Sequence, residues 1–142
     1  MINDIVMKTV KTLALVILAA FSLAAFSGRK EKTMTNVQYV LRNNSSHMLE
    51  IIHPKIGDNT LMPGENFQFS FTYKESDWEK AVKKDGILGG SSTVVVDGKT
   101  KYTVKNNEGF CKLDNYGLTK KGSTSCIANY SFTDAVIASL TK

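Results

Sequence analysis

The sequence predicts a mainly β protein, a single antiparallel β-sandwich of about seven strands with one short helix. Apolar and polar residues alternate with a period of two along several segments, as in half-buried strands. Clusters of Gly, Pro, Asn, Asp and Ser separate these segments. The residues that follow a predicted leader, 28–142, suit one compact domain rather than two.

The amino-terminal segment 1–27 has the features of a signal peptide. Lys8 and Lys11 precede an apolar run over residues 13–26, and the small residue Ser27 precedes the predicted cleavage point. The run is shorter than the about 20 apolar residues that cross a bilayer, so an uncleaved anchor is the less favoured alternative. We therefore expect an exported protein, periplasmic, held in the cell envelope or secreted, in a compartment that permits disulfides.

Residues 28–35 are charged and poor in apolar side chains, so we expect a flexible leader before a β-sandwich domain over 36–142. The chain carries 18 basic and 13 acidic residues, a net charge of +5. This balance favours solubility and weak attraction to anionic surfaces, but it lacks the dense basic stripe of a nucleic-acid binder. We expect no nucleic-acid partner and no stable membrane span after cleavage.

The first strands of the domain follow from alternation. Val37, Tyr39 and Leu41 predict a half-buried strand. Asn and Ser over 43–46 predict a turn, and residues 47–53 predict a return strand that completes an antiparallel hairpin. Residues 54–60 are expected to form a loop.

The clearest strand follows a tight turn at 62–65, where Pro63 and Gly64 suit the two central positions. Four aromatic residues alternate with polar ones in this strand: Phe67, Phe69, Phe71 and Tyr73. We expect this stripe to lie in the core, since aromatic rings bury large apolar areas. A platform for sugars is the less favoured alternative.

A short helix is predicted over 76–84. Ser76 and Glu79 match a capping box, and Asp85-Gly86 ends the pattern. Trp78, Ala81 and Val82 share one helical face, which should pack on a sheet. The glycine-rich segment 87–92 lacks the Gly-Lys-Ser/Thr of a phosphate loop and is expected to be a mobile connection.

Residues 93–105 carry the strongest hairpin signal, because Asp97-Gly98 suits a type I′ turn. Lys99, Lys101 and Lys105 fall on one face of the second arm. They form a candidate site for an anionic glycan or lipid headgroup, although such lysines more often keep a strand edge solvated.

The carboxy-terminal part is turn-rich over 106–125, with Phe110, Leu113 and Tyr116 as expected anchors. A last strand is predicted over 126–132, and residues 134–140 suit either a helical turn or an edge strand. Cys111 and Cys126 are expected to form a disulfide, because an isolated pair in an exported domain is usually bridged. A buried reduced pair or a metal site are the alternatives, and the spacing fits no common zinc pattern.

The chemistry-bearing residues predict no cofactor and no metal. His47 and His53 lie six residues apart on a presumed strand, too far apart to share an ion. A bridge would remove the thiols as nucleophiles. A glycosidase needs two carboxyl groups. The remaining catalytic candidates are four acids near Trp78: Glu75, Asp77, Glu79 and Asp85. A helix start attracts acids through its dipole without any active site, so we expect no enzyme.

Three segments resemble small exported bacterial β-domains of uncharacterised function, which often occur as lipoproteins: residues 39–46 (YVLRNNSS), 61–65 (LMPGE) and 129–134 (NYSFTD). The resemblance implies a β-sandwich in the cell envelope and supplies no catalytic residues. This chain departs from the lipoproteins, because no cysteine follows its apolar run to carry the lipid.

The sequence therefore predicts a non-catalytic binding module that recognises a protein or glycan through loops, with Tyr116 and the three lysines Lys99, Lys101 and Lys105 as candidate binding residues. The loops are those at 43–46, 54–60, 87–92 and 106–125. An inhibitor or immunity-type protein that blocks a foreign enzyme is the first alternative. A small carboxylate-dependent hydrolase is the second. The oligomeric state is left open.

Overall fold

The predicted β-sandwich is confirmed in a computed structural model, which describes residues 34–74 and 77–140. The described part contains eight strands in two four-stranded sheets. In chain order the elements are β1 Thr35–Asn43, β2 Leu49–His53, β3 Gly57–Leu61, β4 Asn66–Tyr73, helix α1 Trp78–Asp85, β5 Ser92–Val96, β6 Thr100–Val104, β7 Gly117–Lys120, β8 Ser125–Phe132 and helix α2 Asp134–Ser139.

The first sheet has the strand order β4-β1-β8-β7. β1 pairs antiparallel with β4 and parallel with β8, while β7 and β8 form an antiparallel hairpin. The predicted hairpin between β1 and the strand over 47–53 is wrong, because β1 and β2 belong to different sheets. At Asn43 the chain leaves the first sheet, and the backbone N–H and C=O of Asn43 bond Glu65 and Gly64 instead of the next strand.

The second sheet has the order β3-β2-β5-β6, and all of its pairings are antiparallel. The predicted loop over 54–60 is wrong in its second half, which forms β3. The segment has little intrinsic strand preference, but pairing with the apolar strand β2 supplies its backbone partners. The predicted hairpin at Asp97-Gly98 is confirmed, and both residues have the positive φ of a type I′ turn, 52° and 66°.

The core lies between the two sheets. Its fully buried residues come mainly from the central strands, among them Tyr39, Leu41, Ile51 and Val94. The aromatic stripe of β4 is only half-buried, contrary to the expectation that it forms the core. β4 is an outer strand, so the second sheet covers its inner face incompletely.

Helix α1 packs on the sandwich through Trp78 and Val82, whereas Ala81 is exposed, contrary to prediction. Asp77 occupies the N-cap position without a side-chain hydrogen bond, and Ser76, the predicted cap, lies outside the described residues. The segment 87–92, predicted to be a mobile connection, is anchored at both ends. Ile87 and Leu88 are buried, and Ser92 begins β5.

The turn-rich region 106–125 is held by its three predicted anchors, all buried: Phe110, Leu113 and Tyr116. It contains two short 3-10 turns, Gly109–Cys111 and Leu113–Asn115, and the strand β7, which the sequence does not predict. The alternative left open at the carboxy terminus is settled in favour of helix α2, and the Thr133 hydroxyl caps it by accepting from the Val136 N–H at 3.2 Å.

The predicted signal peptide 1–27 lies outside the described residues, as does most of the predicted leader. Thr35, assigned to the leader, is buried and begins β1. Within the described ranges, no helix has the length and apolar character needed to cross a membrane.

Candidate functional site

The two cysteines are free and buried, so the structure does not contain the predicted bridge. Cys111 ends a 3-10 turn, and its Sγ lies 3.4 Å from the hydroxyl of Ser92 in the second sheet. Cys126 lies near the start of β8 in the first sheet. Burial raises the pKa of both thiols, which keeps them protonated and weakly reactive at neutral pH.

Tyr116, a candidate binding residue, is part of the interior. Only 7% of the residue is exposed, and its hydroxyl donates to the carbonyl of Phe110 at 2.7 Å. Its ring packs edge-on against Tyr39, with centroids 5.7 Å apart. The residue holds the turn-rich region against the first sheet and presents no binding surface.

The three candidate lysines are exposed along β6, the outer strand of the second sheet. Lys101 lies within the strand, and Lys99 and Lys105 flank it. This placement fits the binding hypothesis and equally fits lysines that protect a strand edge. The neighbouring strand β5 adds no basic residue that would favour an anion site over edge protection.

His47 lies between two carboxylates that sequence reasoning did not connect with it. Its Nδ1 is 2.7 Å from Asp97 Oδ2, and its Nε2 is 4.0 Å from Asp134 Oδ1. Hydrogen bonds hold the pKa of both carboxyls below the ordinary value. For Asp97 the larger effect comes from the bond to His47 and the smaller from the Met48 N–H. For Asp134 both bonds come from Ser46, through its N–H and its hydroxyl.

These residues border a shallow cleft of about 320 Å³. Both acids are ionised at neutral pH, so neither can act as a proton donor to a glycosidic oxygen. The cluster instead joins the β1–β2 loop to the β5–β6 hairpin and to the start of α2. No group of three or more His, Cys, Asp or Glu in the described part of the chain is arranged to hold a metal ion.

The acids near Trp78 do not converge on one cleft. Glu79 lines a cleft of about 360 Å³ beside Trp78 and Cys126, where Lys120 Nζ lies 3.2 Å from its carboxylate. Asp77 is exposed and pairs with Lys80 at 3.2 Å, and Asp85 is exposed. Glu75 lies outside the described residues. Asp77 and Glu79 therefore each pair with a lysine.

The outer surface of the first sheet has an unusual composition. We call it the polar face; it comprises the outward positions Asn66, Gln68, Ser70 and Thr72 of β4, Asn36, Gln38, Val40 and Arg42 of β1, Ser125, Ile127, Asn129 and Ser131 of β8, and Gly117 and Thr119 of β7. Arg42 is its one charged residue, although 22% of the whole chain is charged. Apart from Arg42, Val40, Ile127 and Gly117, every position of the polar face is Ser, Thr, Asn or Gln.

Amide side chains run across the polar face in a hydrogen-bonded row. Gln38 Nε2 donates to Gln68 Oε1 at 2.7 Å, and Gln68 Nε2 donates to Asn66 Oδ1 at 3.3 Å. Each amide has two donor hydrogens and two acceptor lone pairs, so the row leaves hydrogen-bonding capacity directed at solvent. These bonds also order long side chains before any ligand arrives.

The strand patterns alone could have shown that each strand of the polar face has mostly neutral outward residues. In β1, β4 and β8 the residues between the apolar positions are almost all neutral and polar. What the sequence could not show is that these three strands are neighbours. Comparison with known proteins gives no match, because no family model, curated protein or solved structure is significantly similar to this chain.

Proposed function

We propose that this protein is an exported, non-catalytic binding module that recognises an uncharged glycan through the polar face of its first sheet. The observation that carries the proposal is the concentration of amide and hydroxyl side chains on the outer surface of one sheet with a single charge, Arg42. Amides and hydroxyls both donate and accept hydrogen bonds, as the hydroxyl groups of sugars do.

The regularity of a sheet favours an extended ligand. Neighbouring strands lie about 4.8 Å apart, and successive side chains on one face of a strand repeat at about 6.6 Å. Gln38 and Asn129 stand on neighbouring strands near the middle of this grid. An extended sugar polymer repeats its hydroxyl groups over similar distances, so several residues can bond one chain at once.

The neutral character of the face excludes other ligands. A polyanion would find one cation, Arg42, and a basic partner would find no acid. The lysines of β6 lie on the other sheet and cannot join the face.

Two of the four candidate loops expose fewer side chains than the sequence predicts. Asn43 and Ser45, in the first candidate loop, are buried, and their side chains bond one another. Ile87 and Leu88 anchor the third loop in the core. These side chains support the fold. These two loops therefore offer a ligand fewer exposed groups than the polar face does.

The test is a glycan array with the purified protein, followed by affinity electrophoresis on any neutral polysaccharide that is retained. The double variant Gln38→Ala/Asn129→Ala should weaken retention at least tenfold. The matched control, Glu50→Ala/Thr103→Ala, changes exposed or half-exposed positions of the second sheet and should bind like the parent. Retention only of anionic glycans, abolished by Lys99→Ala/Lys101→Ala/Lys105→Ala, would overturn the proposal in favour of the lysines.

A further inference from the structure

Strand β4 is an outer strand with an open hydrogen-bonding edge. It pairs with β1 along its whole length, from Asn66 to Tyr73, and its other edge faces away from the sheet. Within the described ranges, no turn or loop supplies a backbone partner to this second edge. An open edge of eight residues is long enough to template pairing with another strand.

The other three outer strands are protected, and β4 is not. β6 carries Lys101 and is flanked by Lys99 and Lys105, and β7 is four residues long and ends in Lys120. β3 has five residues and includes Asp58. β4, by contrast, has the sequence NFQFSFTY, with no charged residue and no proline. Proteins usually block an edge of this kind with charges, prolines or a covering element.

The inner side of the same strand leaves apolar surface exposed. Phe67, Phe69 and Phe71 are each half-buried and form a continuous ladder, with ring centroids 5.9 Å and 5.6 Å apart along the strand. The ladder is joined to the core where Phe69 stacks on Tyr39 at 5.1 Å. A strand added to the edge of β4 would cover the open side of these rings.

We propose that β4 pairs antiparallel with β4 of a second copy of this chain, forming a two-fold symmetric dimer with one continuous eight-stranded sheet. Two-fold antiparallel pairing that keeps the faces of the sheet aligned sets each aromatic residue opposite an aromatic residue. With the axis at Ser70, Phe69 faces Phe71 of the second copy. Gln68 likewise meets Thr72 and Ser70 meets its own copy, while Asn66 meets Lys74 just beyond the strand, and no like charges are opposed.

The edges that remain explain why such an assembly stops at two copies. Once the β4 edges are joined, the outer strand at both ends of the first sheet is β7, which is short and exposed, ends in Lys120 and is followed by Lys121. Like charges at these edges oppose further pairing. The pairing closes on itself, as an isologous interface does.

The experiment measures mass in solution by light scattering coupled to size exclusion, over a hundredfold range of protein concentration. The parent should show twice the chain mass. Gln68→Lys/Ser70→Lys and Gln68→Glu/Ser70→Glu each oppose like charges across the two-fold axis, so each should be a monomer, with dimerisation weakened at least tenfold. An equimolar mixture of the two should recover the dimer, because the lysine at position 70 of one copy then faces the glutamate at position 70 of the other, with the changed residues at position 68 diagonal to them.

The control variant Asn129→Lys/Ser131→Lys adds the same charge to the same face on the interior strand β8, and it should remain a dimer. Circular dichroism establishes that each variant is folded. As a second measurement, Ser70→Cys should form an intermolecular disulfide under mild oxidation, since Ser70 lies at the proposed axis. A monomeric parent, a dimeric lysine variant or a mixture that stays monomeric would each overturn the proposal. The readout is mass, so it is independent of whether a glycan binds.

Discussion

The side-chain amide of Asn43 donates a hydrogen bond of 2.9 Å to the main-chain carbonyl of Leu61, which joins the end of β1 in the first sheet to the end of β3 in the second. The same Nδ2 donates to the carbonyl of His47 at 2.7 Å, and Oδ1 accepts from the N–H and hydroxyl of Ser45. Asn43 is completely buried. Every donor and acceptor of its side chain is therefore satisfied by the protein at the point where the chain changes sheets.

Replacing Asn43 should destabilise the fold strongly. Asn43→Ala removes the donor to the Leu61 and His47 carbonyls and the acceptor of the Ser45 N–H and hydroxyl, and we expect a loss of about 3 kcal/mol or more. Asn43→Asp keeps the shape but sets a carboxylate oxygen against the two carbonyls, so its loss should be at least as large. Chemical denaturation measures both.

The exposed neighbour Asn44, whose amide bonds Ser131 at 3.2 Å, serves as the control. Asn44→Ala should cost less than about 1 kcal/mol. Equal losses at the two positions would show that the buried network does not carry the stability assigned to it.

Asn43 also shows where sequence reasoning about the fold succeeds and where it fails. Alternation predicts β1, β4 and β8 because burial of one face acts on each strand separately. Pairing is different, since it depends on contacts between residues distant in sequence. Asn43 and the following serines have the composition of a hairpin turn, but the bonds to Leu61 and Glu65 direct the chain to the other sheet.

The candidate sites also divide into features that one strand determines and features that depend on contacts between distant residues. The exposure of Lys99 and Lys101 is predictable from one strand, whereas the burial of Tyr116 depends on contact with Tyr39, a residue far away in the sequence. The cluster around His47 is formed across 50 and 87 residues, so no local pattern indicates it. The amide row of the polar face likewise requires that β1 and β4 be adjacent.

The state of the cysteines gives a direct test of the structure. With Cys111 and Cys126 reduced and buried, a reducing agent should leave the Tm unchanged. Iodoacetamide should label neither thiol in the native protein and both in denaturant. A bridge would instead contribute about 3 kcal/mol, and its reduction would lower the Tm by roughly 10 to 25 °C. Such a drop would contradict the free thiols.

Gly86 ends helix α1 in a conformation that a side chain would disturb. Its φ is +75°, its N–H donates to the Val82 carbonyl at 2.8 Å, and an added Cβ would collide with the side chain of Asn106. Asn106 cannot move freely, because its amide donates to the Asp85 carbonyl at 2.7 Å. Gly86→Ala should therefore destabilise by about 2 kcal/mol or more, because its φ of +75° with a ψ of 166° costs a non-glycine residue roughly 1 to 3 kcal/mol and the collision adds to this cost.

Gly57 supplies the matched control, since it has the same φ of +75° with open space around it. Gly57→Ala should show the cost of a positive φ without a collision. Thermal denaturation of Gly86→Ala/Asn106→Ala should show a loss smaller than the sum of the two single changes, because the collision is absent. If Gly86→Ala and Gly57→Ala are equally destabilised, Asn106 does not restrict this site.

His53 should make the fold sensitive to mild acid. The ring is buried, and its Nδ1 accepts a hydrogen bond from the Lys55 N–H at 3.1 Å, which requires the neutral ring. Burial first, and the charge of Lys55 second, lower the pKa of His53 below its ordinary value of 6.5. Below that pH the unfolded chain therefore binds a proton that the folded chain does not, so stability present at pH 7 should decline as the pH falls towards 5.

His53→Gln removes this titration, so its free energy of unfolding should depend less on pH between about 7 and 5. Denaturation with urea at intervals across this range measures the slope. His47→Gln retains His53 and should retain the decline. The pKa values of the Asp97 and Asp134 carboxyls are lowered. Their contribution to stability is lost only as the pH falls below the ordinary carboxyl pKa near 4, so they do not change stability between pH 7 and 5. A decline unchanged in His53→Gln would assign the acid sensitivity to another group.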